Sequence, residues 1–351
     1  MAFAHQVGGH ADTILASPLS SSTLIKPASA RELAFYEQLA PSLAVDGPFL
    51  GEWTPAFYGT LRLAGKVQEG GTVAPLDTSA DGAGDIEPEM LVLENLTYRF
   101  LRPNVLDIKL GTQLFDEDAS DEKKARMRKA AAASTSAQAG VRLTGFQVWD
   151  AATESYVQTP KPFGNALAVA ELPLGLARFF YPPLSRPSSA ELASGAPARP
   201  EPTALPIELL LPVVRTLVRR LDDLVALWAK LPLRMRGGSL LVVVEGDAAA
   251  LEAALLRAQA QRARAGPNEH DDDQDEDDDG TSVSTTDEEG NAAEATRQAF
   301  ELRLIDFAHT RGLLPGEDGP DEGVLLGLNT VKGLLEGLVK DLQAEQQKRR
   351  E

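Results

Sequence analysis

Residues 271–279 are acidic at every position except Gln274, and they lie between two strongly apolar segments. Like charges at this density repel one another, and the run has almost no apolar surface to bury. It cannot enter a core. The fold must therefore expel it while keeping its neighbours inside: GSLLVVVEG (Gly238–Gly246) and FELRLIDFA (Phe300–Ala308). Both neighbours read as buried strands, being short apolar runs rich in branched residues. The surrounding stretch, near residues 265–295, is expected to be a disordered acidic insert at a surface loop. Two roles stay open for it besides a solvated insertion. It could dock a basic protein partner, or it could be a linker phosphorylated at Ser282, Ser284, Thr285 and Thr286.

The remaining elements follow from periodicity and breakers. STLIKP (Ser22–Pro27) reads as a strand ending at a proline, and Ala28–Ala40 as a helix with Ser29 as its N-cap. Residues 66–88 are rich in Gly, Asp, Thr and Pro and read as a long loop. Glu89–Phe100 is a buried strand running into a polar turn, and Arg142–Asp150 with Glu154–Thr159 forms a hairpin. A helix is expected over 166–181 and a loop over 185–204. Pro206–Leu231 has a broad apolar face, with Pro212 in its first turn or at a kink. Asp321–Gln343 closes the chain as an amphipathic helix striped by Leu328, Val331, Leu335, Leu338 and Leu342.

Composition narrows the function. A net charge of −18 argues against a general nucleic-acid binder, because phosphate contacts need cations. With no cysteine there is no disulfide framework and no thiolate nucleophile or metal site, as expected inside the cell. No membrane span and no signal peptide are expected. The chain lacks a Walker phosphate loop, a G-x-G-x-x-G turn, a G-x-S-x-G elbow, an H-E-x-x-H pair and an H-R-D loop.

Five weak signals remain. In RPNVLDIKLGT (Arg102–Thr112), strand alternation turns Leu106, Ile108 and Leu110 to a core and Asp107 with Lys109 to the other face. Lys26 ends a strand ahead of a helix whose Glu32 could reach back to it, and a lysine there can hold phosphates as a point charge. VLENL (Val92–Leu96) runs into Glu94 and Asn95, and the backbone of such a connection can bond an adenine edge. LRLIDFAHT (Leu302–Thr310) delivers Asp306 at a strand end, where a carboxylate can bind Mg²⁺. DEKKARMRKA (Asp121–Ala130), capped by Ser120, carries Lys123, Lys124, Arg126, Arg128 and Lys129 in an otherwise acidic protein. Taken singly, each is as well explained by a surface ladder, a turn cap or a solvated helix face.

Together and in order they resemble one family. PNVLDIKLG (Pro103–Gly111) matches the P-x-x-x-D-x-K-x-G signature of the inositol polyphosphate kinases. HQVGGH (His5–His10), IKP with RELAFY (Ile25–Tyr36), LENL, GSLL, IDFAHT and DEGVLLGL (Asp321–Leu328) resemble further family segments in the same order. The pattern is most like a fungal inositol polyphosphate multikinase, with the hexakisphosphate kinases as the alternative. KPFGNAL (Lys161–Leu167) departs from it, with Asn165 where an arginine is usual, and Gly8 leans toward the alternative.

The resemblance implies an α+β, two-lobed kinase. A small antiparallel-sheet lobe would span 1–100, a larger α+β lobe 101–351, and ATP would lie between them. It implies ATP and Mg²⁺ as cofactors and phosphorylation of inositol trisphosphate and tetrakisphosphate toward the pentakisphosphate. Asp107 and Lys109 would be catalytic. Lys26, Glu94, Asn95, Leu96, Asp107 and Asp306 would bind the nucleotide, with Asp306 holding the metal. Lys109, Lys123, Lys124, Arg126, Arg128, Lys129, Lys161 and His309 would bind the acceptor, and Gly111 would keep a side chain out of its way. A monomer in the nucleus and cytoplasm is expected. A non-catalytic scaffold recruiting partners through the acidic run is the rival from another class. The intact set Lys26, Asp107, Lys109 and Asp306 argues against it.

Overall fold

In the computed structural model, the described residues are 3–7, 14–18, 20–43, 50–62, 65–67, 73–75, 89–194, 202–265 and 297–351. The acidic run 271–279, His10 and most of the 66–88 loop lie outside them. The strands are β1 (Leu15–Ala16), β2 (Thr23–Pro27), β3 (Phe57–Arg62), β4 (Gly65–Val67), β5 (Val73–Pro75) and β6 (Glu89–Glu94), then β7 (Pro103–Leu110), β8 (Val141–Asp150), β9 (Ser155–Thr159), β10 (Leu233–Met235), β11 (Ser239–Glu245), β12 (Phe300–Ile305) and β13 (Thr310–Gly312). They build a four-stranded sheet in the order β1-β2-β6-β3 and a five-stranded one in the order β12-β11-β7-β8-β9, plus the pairs β4-β5 and β10-β13. All pairings are antiparallel.

The fold is thus the expected α+β arrangement of two lobes, joined by residues 95–102. The acidic run sits between strands that pair directly, β11 with β12. On β7, Leu106, Ile108 and Leu110 are buried as the alternation predicts. The other face is covered as well: Val105 packs with Phe100 and Val243, and Asp107 is only 4% exposed. Beneath both sheets runs one apolar core, which includes Phe35, Trp53 and Leu91 on the small side and Leu217, Leu304 and Leu335 on the large.

The long helices meet expectation. Ile207–Trp228 carries Pro212 inside its length, and Glu322–Lys348 is capped by Asp321 and buries the expected leucine stripe. Ser29 caps the first helix through a 3.1 Å bond from the Glu32 amide. That helix is not continuous to Ala40, however. It runs Ala30–Ala34 and then widens into a π-helix over Phe35–Leu39.

Other differences have local causes. Ala248–Ala265 is a helix that the sequence reading passed over, because alanine gives helix propensity without an apolar stripe. Lys161–Ala166, read as a turn, is a short helix with Pro162 in its first turn. The helix expected over 166–181 begins only at Leu172, after a 3-10 turn at Val169–Glu171. Within 185–204, Ser189–Ser194 is helical; in the other stretch read as loop, 66–88, β5 and the end of β4 are strand. No helix among the described residues is long and apolar enough to cross a membrane.

Candidate active site

β2 ends by delivering Lys26, and the helix beginning at Ala30 turns Glu32 back beneath it. The Lys26 Nζ lies 2.9 Å from Glu32 Oε1 and 2.8 Å from Asp306 Oδ1. Burial opposes the charge on Lys26, but the two carboxylates outweigh it and raise its pKa. Asp306 follows β12 with φ of +66°, a left-handed conformation that aspartate tolerates better than most residues. That turn takes the carboxylate off the strand path and into the cleft. Burial pushes the Asp306 carboxyl up, yet the charge and hydrogen bond of Lys26, with the charge of Lys109, bring it below its ordinary value. Its Oδ2 accepts no hydrogen bond among the described residues. Glu32 also accepts the Phe307 amide at 3.3 Å, and Phe307 stacks on Phe35 at 3.9 Å. The small lobe's helix is therefore bonded to the large lobe at this point.

A cleft opens here, with apolar walls such as Leu24, Tyr36, Leu93 and Val105 and a few polar groups between them, as is usual for small-molecule sites. Lys26, Glu94, Asn95, Leu96, Asp107 and Asp306 all line it, so the expected nucleotide residues converge. The Glu94 and Asn95 amides are already bonded to the Ala56 and Ser22 carbonyls, and the Asn95 side chain bonds Ser21 and Thr97. The Leu96 amide has no partner among the described residues and is the unbonded donor of this connection. Residues 3–7 were not expected in the site, yet His5, Gln6 and Val7 line the cleft. They rest on the large sheet, where His5 Nδ1 is 2.7 Å from Gln147 Nε2. A side chain at Gly145 would meet the Val7 carbonyl at 2.2 Å.

Asp107 sits where β8 bulges. Asp107 pairs with Gly145 and Ile108 with Leu143, so Thr144 is the extra residue. Its hydroxyl donates to Asp107 Oδ1 at 3.1 Å. Burial and the charge of Asp306 raise the Asp107 carboxyl above its usual range. Lys109, two residues on, donates to the Gly237 carbonyl at 2.5 Å and stands opposite Arg142 of β8. Arg142 is 9% exposed, and its Nε has no hydrogen-bond partner among the described residues. Lys161, at the start of its short helix, is held below its ordinary pKa by burial and by the charges of Arg142 and Lys109. Lys109, Arg142 and Lys161 thus form a group of cations beside Asp107, of which sequence reasoning missed Arg142. Its only sequence signal was an arginine opening a buried strand.

The other residues expected to bind the acceptor are placed less directly. Lys123, Lys124, Arg126, Arg128 and Lys129 lie on the expected helix, Asp121–Ala132, whose Ser120 cap accepts the Lys123 amide at 3.2 Å. None forms an ion pair among the described residues, and Arg128 lies over the Phe115 ring at 5.0 Å. His309 does not reach that helix itself. Its Nδ1 is 2.5 Å from Asp116 Oδ2, in the loop leading to it. Asn165 is exposed. Gly111 turns with φ of +95°, as expected of a glycine, and a side chain there would lie against Val324 and the Met235 carbonyl.

A family model described as inositol polyphosphate kinase matches residues 90–336. The inositol polyphosphate multikinase of Saccharomyces cerevisiae is 30% identical over 93% of this chain and 95% of its own. Human inositol hexakisphosphate kinase 1 is 29% identical over 71% of this chain, which spans only 52% of that relative. Among solved structures, the S. cerevisiae multikinase Ipk2 in complex with ADP and Mn²⁺ shares the fold, with a TM-score of 0.56 and 24% identity. The match covers 91% of this chain and 99% of that one.

Proposed function

The chain belongs to the inositol polyphosphate kinase family, and we propose that it is an ATP-dependent kinase of soluble inositol polyphosphates, carrying trisphosphate and tetrakisphosphate toward the pentakisphosphate. The observation that carries this is the meeting in one cleft of the Lys26–Asp306 pair and Asp107, with the cations Lys109, Arg142 and Lys161 grouped beside Asp107. Phosphoryl transfer asks a protein mainly for positioning and for neutralisation of phosphate charge.

In this reading Lys26 and the Leu96 amide bind the nucleotide, and Lys109 spans the transferring phosphate and the acceptor. Asp107 lies at the reacting hydroxyl, where its raised pKa suits a proton acceptor. Arg142, Lys161, His309 and the basic helix hold the acceptor's other phosphates. Asp306 fits a Mg²⁺ site: one carboxylate with a free oxygen, beside the phosphate position, is the kind of ligand that ion uses together with phosphates and waters. When bound, the ion supplies positive charge to the phosphate oxygens.

Similarity along 93% of the chain favours the multikinase assignment over the hexakisphosphate kinases, which match only part of it. The test is incubation with ATP, Mg²⁺ and a panel of inositol phosphates, with products resolved by chromatography. Consumption of the trisphosphate and tetrakisphosphate is expected. Consumption of the hexakisphosphate alone would reassign the chain to the alternative, and an untouched panel would leave the scaffold reading.

A further inference from the structure

We propose that Arg31, on the nucleotide-side helix and not itself in the cleft lining, is a positioning residue that sets affinity for the inositol phosphate by holding Asp116 and His309. The inference rests on the kinase reading above. Arg31 forks between two carboxylates: Nη1 is 3.0 Å from Asp116 Oδ1 and Nη2 is 3.0 Å from Asp118 Oδ2. A planar guanidinium bound to two residues of one loop fixes that loop in position and orientation, which a single ammonium cannot do. The loop runs straight into the basic helix. The Ala119 amide bonds the Asp116 carbonyl at 3.2 Å, and Ser120 caps the helix.

Asp116 passes the constraint on. Its side chain is 8% exposed, and its second oxygen binds His309 Nδ1. The two nitrogens of an imidazole point to opposite sides of the ring. With Nδ1 held by Asp116, Nε2 is directed away from the Arg31–Asp116 pair, and the ring as a whole is half exposed. Arg236 at 3.1 Å and Arg311 at 3.0 Å hold Glu117 in the middle of the same loop, and Arg31, through its two flanking carboxylates, ties the basic helix and His309 to the small lobe. The next residue, Glu32, does the corresponding work for the nucleotide through Lys26 and the Phe307 amide. Adjacent positions on one turn thus serve the two substrates separately.

The test is steady-state kinetics with inositol trisphosphate and ATP. Arg31→Ala is expected to raise KM for the acceptor about tenfold while KM for ATP stays within about twofold. Arg31→Lys should fall between wild type and Arg31→Ala, and it keeps the readout if the alanine variant does not fold. Arg31→Ala combined with Asp116→Asn should raise the acceptor KM by less than the product of the two single effects, because both remove the Arg31–Asp116 contact. An unchanged acceptor KM, an equal rise for both substrates, or multiplicative effects in the double variant would each overturn the proposal. An inert wild type would instead sink the kinase reading, and this inference with it. An active wild type alongside an unaffected Arg31→Ala would sink the inference alone.

Discussion

Asp107 and Asp306 are acids in one cleft whose surroundings push them in opposite directions. Asp107 is raised by burial and by the Asp306 charge. At Asp306, Lys26 overcomes burial. Divergent carboxylates of this kind separate a proton acceptor from a permanent anion. Asp306→Asn keeps the size and loses the charge, so turnover should fall about a hundredfold while the variant, less stable by the lost Lys26 pair, still unfolds in one cooperative transition. Wild-type turnover would reduce Asp306 to a turn residue. The lowered carboxyl also sets a pH signature. It stabilises the fold above the unfolded value of roughly 3.9, and that contribution is lost as pH falls through its folded value. In Lys26→Met only the charge of Lys109 still opposes burial, so the carboxyl rises and destabilises the fold at neutral pH. The Tm gap between wild type and Lys26→Met should be widest near pH ~7 and close toward pH ~4. Lys26, Asp107 and Asp306 were legible because each lies at a strand position with a family signature around it. Arg142 was not, because its meaning comes from Lys109 across the sheet and Lys161 beyond.

At the scale of elements, the last helix shows what tight packing demands. A side chain at Gly327 would meet the Gly140 carbonyl oxygen at 2.4 Å, and that oxygen already accepts the Gly111 amide at 2.8 Å. Gly327→Ala should therefore cost about 1–3 kcal/mol, read as a lower denaturant midpoint. The basic helix gives a functional counterpart. Neutralising Lys123 and Arg126 together, or Lys124 and Arg128 together, should raise KM for the inositol phosphate unequally, since helical spacing gives each pair its own face. The ATP value should hardly move, and the effect should weaken in high salt. Equal, small effects from both pairs would mark a solvated face. Elements with a strong period and a cap, such as the last helix with Asp321, could be read from sequence. Ala248–Ala265 could not, because the apolar stripe that marks a helix is nearly absent from it.

For the molecule as a whole, the two lobes share one core and a hydrogen-bonded contact through Glu32, so ligand bound between them should stabilise both. A non-hydrolysable ATP analogue with Mg²⁺ at about a hundredfold its Kd should add about 2.7 kcal/mol, seen as a single shifted unfolding transition. Two separate transitions, only one of them shifted, would show lobes that unfold independently. The two-lobed class was legible from the order of motifs. How the Phe35 ring meets Phe307 was not, since it depends on residues far apart in the chain. The pairing of β11 with β12 carries a consequence for how the protein could be made. Lys26, Asp107 and Lys109 all precede the acidic run, and Asp306 follows it, so the chain delivers its catalytic centre from either side of a removable seam. Two polypeptides, one ending at residue 265 and one starting at 297, retain every side chain assigned here. Co-expressed, they should find each other through the strand edge of β11 and the apolar face of the last helix, and regain activity that neither piece has alone.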